Sequence, residues 1–204
     1  MPASRLTRRR LLAGLGFGAA APLLVACGGG DDVLAGQAGN ADGKNYIAGD
    51  GSVAEYAKGE RSEPVEFSGA LFDGTEVSAE SLRGAPAVLN FWYAACAPCR
   101  IEAPHLVSLH GQFEPEGVRF LGVNVRDTAT TAQAFERTFE IPYPSMEDLS
   151  GDVLLALSDF VPPQAVPSTL VLDAEGRVSA RVLGAVEEGT LRALLKTVVD
   201  EQGQ

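Results

Sequence analysis

"NFWYAACAPCR", Asn90–Arg100, holds two of the chain's three cysteines, Cys96 and Cys99, at the end of an apolar run. That run, "APAVLNFWY" over 85–93, is nearly continuous in apolar side chains, the pattern of a short strand covered on both faces. A helix is predicted from about Pro98 to Glu114, with Ile101, Leu106, Leu109 and Phe113 on its apolar side and Pro104 kinking it. Cys96 then falls where the strand stops, and Cys99 in the first helical turn. Free N–H groups and the positive end of the helix dipole favour a thiolate there. Cys96 is therefore the expected attacking sulfur, and Cys99 the more buried sulfur that resolves a mixed disulfide. Pro98 suits the first turn, where its missing N–H would have no partner anyway.

Three other uses of the pair stay open on the residues alone. A structural disulfide would close so small a ring that it constrains the unfolded chain by only on the order of 2 kcal/mol. A zinc site would read Cys-x2-Cys-x5-His-x4-His with His105 and His110. That crowds four ligands onto one helix, whereas zinc sites separate their ligand pairs by a longer loop. Inert core cysteines are the third reading, and the strand-end position beside Pro speaks against it. The two histidines are expected to be exposed helix residues.

Outward from the motif, the chain alternates strands and helices. "VEFSGALFDGTEVSAESL" reads as a hairpin turning at Asp73-Gly74. "VRFLGVNV", 118–125, is a second apolar strand. A helix over 128–140 puts Ala132, Phe135 and Phe139 on one side, and a short one over 150–160 takes Ser150 as its cap. Residues 166–184 read as a hairpin with its turn at Glu175-Gly176. In the last helix Leu191, Leu194, Leu195, Val198 and Val199 share one face. The pattern predicts a mixed α/β sheet with helices on both faces.

The N-terminus has a different character. Residues 1–26 carry four Arg and no acid, and the sixteen residues Leu11 to Ala26 carry no charge. That length suits an export signal and falls short of the roughly 20 residues of a spanning helix, although an uncleaved signal anchor is the competing reading. "TRRRLLA" is similar to a twin-arginine export motif, with Arg8 and Arg9 as the pair. "LVAC", Leu24–Cys27, is similar to a bacterial lipobox, which makes Cys27 the lipidated first residue of the mature chain; a small apolar residue ending the run is the alternative. A diacylglycerol plus an amide-linked chain would suffice for stable anchoring. A Gly- and Asp-rich tether follows. The organisation expected is signal at 1–26, lipidated Cys27 and tether to 62, and folded domain over 63–204, with 46–62 able to dock or stay loose.

Length and charge bound the function. The 204 residues make one domain with extensions, at a net charge of −11. Without the first 26 residues the balance is 12 basic against 27 acidic residues, or −15. So acidic a surface repels phosphate backbones and excludes nucleic acid as an expected partner. Three cysteines are too few for a disulfide scaffold.

"VLNFWYAACAPCRIEAPHL" resembles the active-site strand and helix of the TlpA-like (ResA-like) membrane-tethered thioredoxins, and the resemblance runs over about 63–200, including "VPSTLVLDAEGRV". It implies a thioredoxin-like fold: a central mixed β-sheet flanked by helices, with an N-terminal β-hairpin extension and the dithiol at the start of the first core helix. The implied activity is thiol–disulfide exchange without a cofactor or metal. It would be a reductase of disulfides in exported proteins, apocytochrome c among them, fed by a membrane thiol carrier and held outside the cytoplasmic membrane. Three positions carry over. Pro167 matches a proline that is cis and packs on the dithiol. Glu102 matches a glutamate that tunes the thiols and relays a proton. Trp92 matches the aromatic before the motif. On the residues alone, Pro167 also reads as a strand-entry proline, Glu102 as a solvated carboxylate and Trp92 as core.

Two departures stand out. Ala95 replaces a frequent Trp, which leaves that side of the site smaller. Asn90 replaces the buried Asp of ordinary thioredoxins, and an amide accepts no proton at neutral pH, which leaves Glu102 as the relay. The competing functions are an oxidase that inserts disulfides, a peroxiredoxin-like peroxidase and a non-enzymatic binding module. The peroxidase is disfavoured by Leu89 and Tyr93 at positions that would hold Pro and Thr or Ser.

Overall fold

The computed structural model describes residues 44–47 and 52–203. Their centre is β5 (Ala87–Trp92), every residue of which is buried. It pairs in parallel with β6 (Arg119–Asn124) and antiparallel with β8 (Ser168–Leu172). β6 continues in parallel to β7 (Ser145–Glu147), and β8 turns back into β9 (Val178–Leu183). The hairpin of β3 (Ser68–Leu71) and β4 (Glu76–Ser78) joins at β7, and that of β1 (Lys44–Ile47) and β2 (Val53–Tyr56) joins at β9. The result is a nine-stranded mixed sheet in the order β1-β2-β9-β8-β5-β6-β7-β3-β4.

Strand alternation sorts the side chains of β5. Ala87, Leu89 and Phe91 enter a core closed by α1 (Ala79–Leu82) and α4 (Asp152–Ala156). Val88 enters the opposite core, under α2 (Ala97–Phe113) and α5 (Glu188–Gln202). Both faces of the strand are covered, as its nearly continuous apolar run requires. α3 (Ala129–Phe139) packs Ala132 and Phe135 against Trp92 and Ala103 beside the cysteines.

Several expectations are corrected. The tether expected to run to residue 62 overlaps the sheet, because β2 pairs with β9. Arg61 is also buried in a salt bridge with Asp173 at 3.0 Å and Glu201 at 2.7 Å, tying this segment to the β8–β9 turn and to α5. The folded unit therefore begins before residue 63. Cys27, Arg8 and Arg9 lie outside the described residues. The helix at 152–156 is capped by Asp148, which accepts from the N–H groups of Val153 at 3.0 Å and Leu154 at 2.9 Å; the expected Ser150 instead bonds Asp152. The two expected turns form: Gly74 and Gly176 adopt φ of 86° and 85°, a conformation open to glycine at little cost.

α2 also differs from its predicted face. Ile101 is 64% exposed, and the buried positions are Cys99, Glu102, Ala103, Leu106, Leu109 and Phe113. The histidines are half-buried rather than exposed. His105 Nδ1 lies 3.2 Å from the Val186 carbonyl, and His110 meets Phe120 edge-on and packs at a tilt against Tyr143.

Candidate active site

The turn from β5 into α2 places Cys96 at the helix N-cap and Pro98 within the first turn. Cys96 and Cys99 are joined by a disulfide, with their Cα atoms 5.3 Å apart. The Cys99 N–H donates to Cys96 Sγ at 3.2 Å. One of the unpaired donors of a helix start is thus spent on this sulfur, which in the reduced protein would stabilise charge on Cys96. The expectation that Cys99 is the more buried of the two does not hold in this state, since each is 2% exposed. Their surroundings distinguish them. Cys96 is flanked by exposed Ala95 and Ala97, while Cys99 lines an internal cavity of about 10 Å³ with Asn90, Trp92, Ala103, Tyr143 and Ser145.

Pro167 stands at the start of β8, and the Val166–Pro167 bond is cis. The Val166 carbonyl lies 4.0 Å from Cys96 Sγ. The Pro167 carbonyl accepts from Gly184 at 2.8 Å, and the Ser168 hydroxyl donates to the Ala165 carbonyl, so the loop is held from both sides.

Glu102 is fully buried, not a solvated carboxylate. Its Oε1 accepts from Asn90 Nδ2 at 2.8 Å and its Oε2 from the Val186 N–H at 2.8 Å. Asn90 also donates to Thr169 Oγ1 at 3.2 Å. Burial pushes the Glu102 carboxyl up to about 7, against the pull of the Val186 and Asn90 donors and of nearby His105. A carboxyl that titrates near neutrality can accept or release a proton under ordinary conditions.

Sequence reasoning missed the support of the 93–95 loop. Asp127 Oδ2 accepts from the Ala94 N–H at 2.6 Å and from Asn124 Nδ2 at 2.9 Å. Arg126 covers the Tyr93 ring at 4.2 Å, and Arg100 lies 5.0 Å from the Phe139 centroid. These contacts link segments far apart in the chain and leave no local periodic signal. Among the described residues, no group of three or more His, Cys, Asp or Glu side chains could hold a metal ion, and no helix is long and apolar enough to cross a membrane.

A dithiol at the start of a sheet-backed helix, facing a cis-proline loop, defines a thioredoxin-fold thiol–disulfide oxidoreductase. The chain belongs to the AhpC/TSA family, whose model matches residues 62–181. Similar proteins carry the same activity in their names. The thiol-disulfide oxidoreductase ResA of Halalkalibacterium halodurans is 25% identical over 129 residues, 63% of this chain and 71% of that one. The thiol:disulfide interchange protein HelX of Rhodobacter capsulatus is 35% identical over 104 residues, 51% of this chain and 55% of that one. The crystal structure of a secreted thiol-disulfide isomerase from Corynebacterium glutamicum matches with a TM-score of 0.67 at 27% identity, covering 78% of this chain and 99% of that one.

Proposed function

We propose that this protein reduces disulfides of exported proteins outside the cytoplasmic membrane, held there by lipid on Cys27. The observation that carries the direction is the charge around the dithiol. Glu102 is buried one helical turn beyond Cys99. A carboxylate at that point disfavours a thiolate and offsets part of the helix dipole. The cation next to the motif, Arg100, is drawn onto Phe139 instead of the sulfurs. Strong oxidants hold their reduced form by stabilising the thiolate, and an environment that withholds this favours a reductant. Glu102 relays the proton of the resolving thiol, and the cis-proline loop receives an extended substrate segment. Apocytochrome c is the substrate implied by the resemblance, with a membrane thiol carrier as electron donor. The name of the secreted relative supports an extracytoplasmic site of action.

Insulin reduction by the domain and its reduction potential test the direction. The expected potential lies near that of thioredoxin, about −270 mV, and a value near the roughly −120 mV of a strong oxidase would reverse the reading. The peroxidase alternative has less support here: Leu89 is buried in the sheet core and Tyr93 packs under Arg126.

Export and anchoring are tested in cells. Cys27→Ala is expected to release or mislocalise the protein, and changing Arg8 and Arg9 together to Lys is expected to stop export. A mature protein that begins upstream of an unmodified Cys27 would remove the lipid claim. Unchanged secretion of the double Lys variant would assign the general export route.

A further inference from the structure

Beyond Cys99, one strand and one helix carry two polar groups that the mechanism above does not use. Ser145, in β7, is 4% exposed. Its Oγ and the Glu136 Oε1 on α3 are both buried without a hydrogen bond of normal geometry, yet the hydroxyl lies near enough to the carboxyl to act on its titration. Ser145 lines the cavity that touches Cys99 and also a second cavity of about 180 Å³, whose wall includes Glu136, Gln133, Phe72 and Asp73. The room for Ser145 comes from its register partner in β6, Gly122. A Cβ at residue 122 would overlap Ser145 Oγ and lie 2.8 Å from Trp92 Nε1. Ser145 therefore borders both cavities. The inner one is of the size that admits a single water, and Asn90, Tyr143 and Ser145 put polar side chains on its wall.

We infer that Ser145 and Glu136 form a second exit for the proton of Cys99, distinct from Glu102. The inference rests on the dithiol reading above. In the resolving step the Cys99 thiol gives its proton through a water in the inner cavity to the Ser145 hydroxyl, which passes its own proton to Glu136. The Cys99 thiolate attacks Cys96 Sγ in the mixed disulfide, forming the Cys96–Cys99 bond and breaking the bond to the substrate sulfur. The substrate leaves as a thiolate and takes a proton from solvent, while Glu136 returns one to solvent through the outer cavity. In this step the substrate sulfur is reduced to a thiol and the Cys99 sulfur is oxidised; counted with the thiol released in the first attack, two substrate thiols form for each protein dithiol oxidised.

The charges around Glu136 suit this role. Burial raises its carboxyl above the usual range, and the Ser145 hydroxyl and Arg137 hold part of that rise back. Asp73 shares the outer cavity with Glu136, and Tyr143 lines the inner one with Ser145. The Tyr143 phenol is pushed strongly up by burial and by the fields of Glu102 and Glu136, so it stays protonated.

Reduced protein is mixed with a chromogenic nitrobenzoate disulfide, whose first released thiolate reports attack by Cys96 and whose second reports resolution by Cys99. Glu102→Gln leaves the Ser145 route as the main exit. With two parallel exits, Ser145→Ala or Glu136→Gln alone changes resolution by less than about twofold. In the Glu102→Gln background either one slows it a further tenfold or so. The pH profile supplies the readout that a structural role would not move. The residual rate of Glu102→Gln rises with ionisation of Glu136, and this limb disappears in Glu102→Gln/Glu136→Gln. Glu136 is a half-exposed helix position, so that variant tests the route even if Ser145→Ala unfolds. An unchanged resolution rate and pH profile in the double variants, with the first burst intact, overturns the second exit alone. Absence of the first burst in the unsubstituted protein overturns the dithiol reading with it.

Discussion

Replacing Cys96 with Ser is expected to abolish thiol–disulfide exchange, whereas Cys99→Ser keeps the first attack and accumulates mixed disulfides with its substrates. The assignment does not come from exposure, because the two residues are equally buried in the disulfide. It comes from the backbone. The Cys99 N–H points at Cys96 Sγ, exposed Ala95 and Ala97 flank Cys96, and Cys99 faces an internal cavity. Charge is stabilised on Cys96, and a partner reaches it first. Once that mixed disulfide forms, the Ser at 99 cannot displace the substrate sulfur, and the complex persists. Alkylation of the reduced protein should label Cys96 before Cys99, and preferential labelling of Cys99 would exchange the roles. Trapping with Cys99→Ser, followed by identification of the captured proteins, also names the substrate.

Glu102→Gln is expected to act on both chemistry and stability. With a like charge gone, the thiolate titration of Cys96 should move to lower pH, while resolution at neutral pH slows about tenfold. The stability effect follows from the carboxyl's rise from 4.5 to about 7 on folding. The folded chain binds this proton more tightly than the unfolded chain does. The resulting stabilisation is complete below about pH 4.5 and is lost as pH rises through about 7. At about 1.4 kcal/mol per unit, the loss is about 3 kcal/mol across that window. Glu102→Gln removes this slope. In Gln one of the two acceptor oxygens becomes an NH2 group that faces a donor at Asn90 or Val186, so a loss of about 1 kcal/mol accompanies it. Chemical denaturation between pH 5 and 8 measures the slope, and parallel curves for the two proteins would mean that Glu102 does not titrate there.

What the sequence determined by itself is the local chemistry. A nearly continuous apolar run ending at two cysteines beside a proline specifies a buried strand, a turn and a helix start. Asp73-Gly74 and Glu175-Gly176 specify turns because only small or polar residues meet their backbone geometry cheaply. The face of the last helix is legible because Leu191, Leu194, Leu195 and Val198 repeat at helical spacing and are all buried. These features depend on neighbours within one or two turns of chain, so pattern reading reaches them.

The tertiary structure decided which face of α2 turns inward. Ile101 is the apolar residue and Glu102 the charged one, yet Ile101 is exposed and Glu102 buried. The sheet presents Asn90 at that point, and the chain around Val186 presents an N–H, so the inward position calls for an acceptor of two hydrogen bonds. The spacing of Glu102 with Leu106, Leu109 and Phe113 was a signal of the true face, masked by the polarity of the residue. The Asp127 carboxylate under the 93–95 loop, the cis-proline loop facing Cys96, and Ser145 opposite Gly122 come from elements brought together by sheet pairing. Glu102 and Val186 are 84 positions apart, and contacts between such distant positions exist only after the sheet has formed.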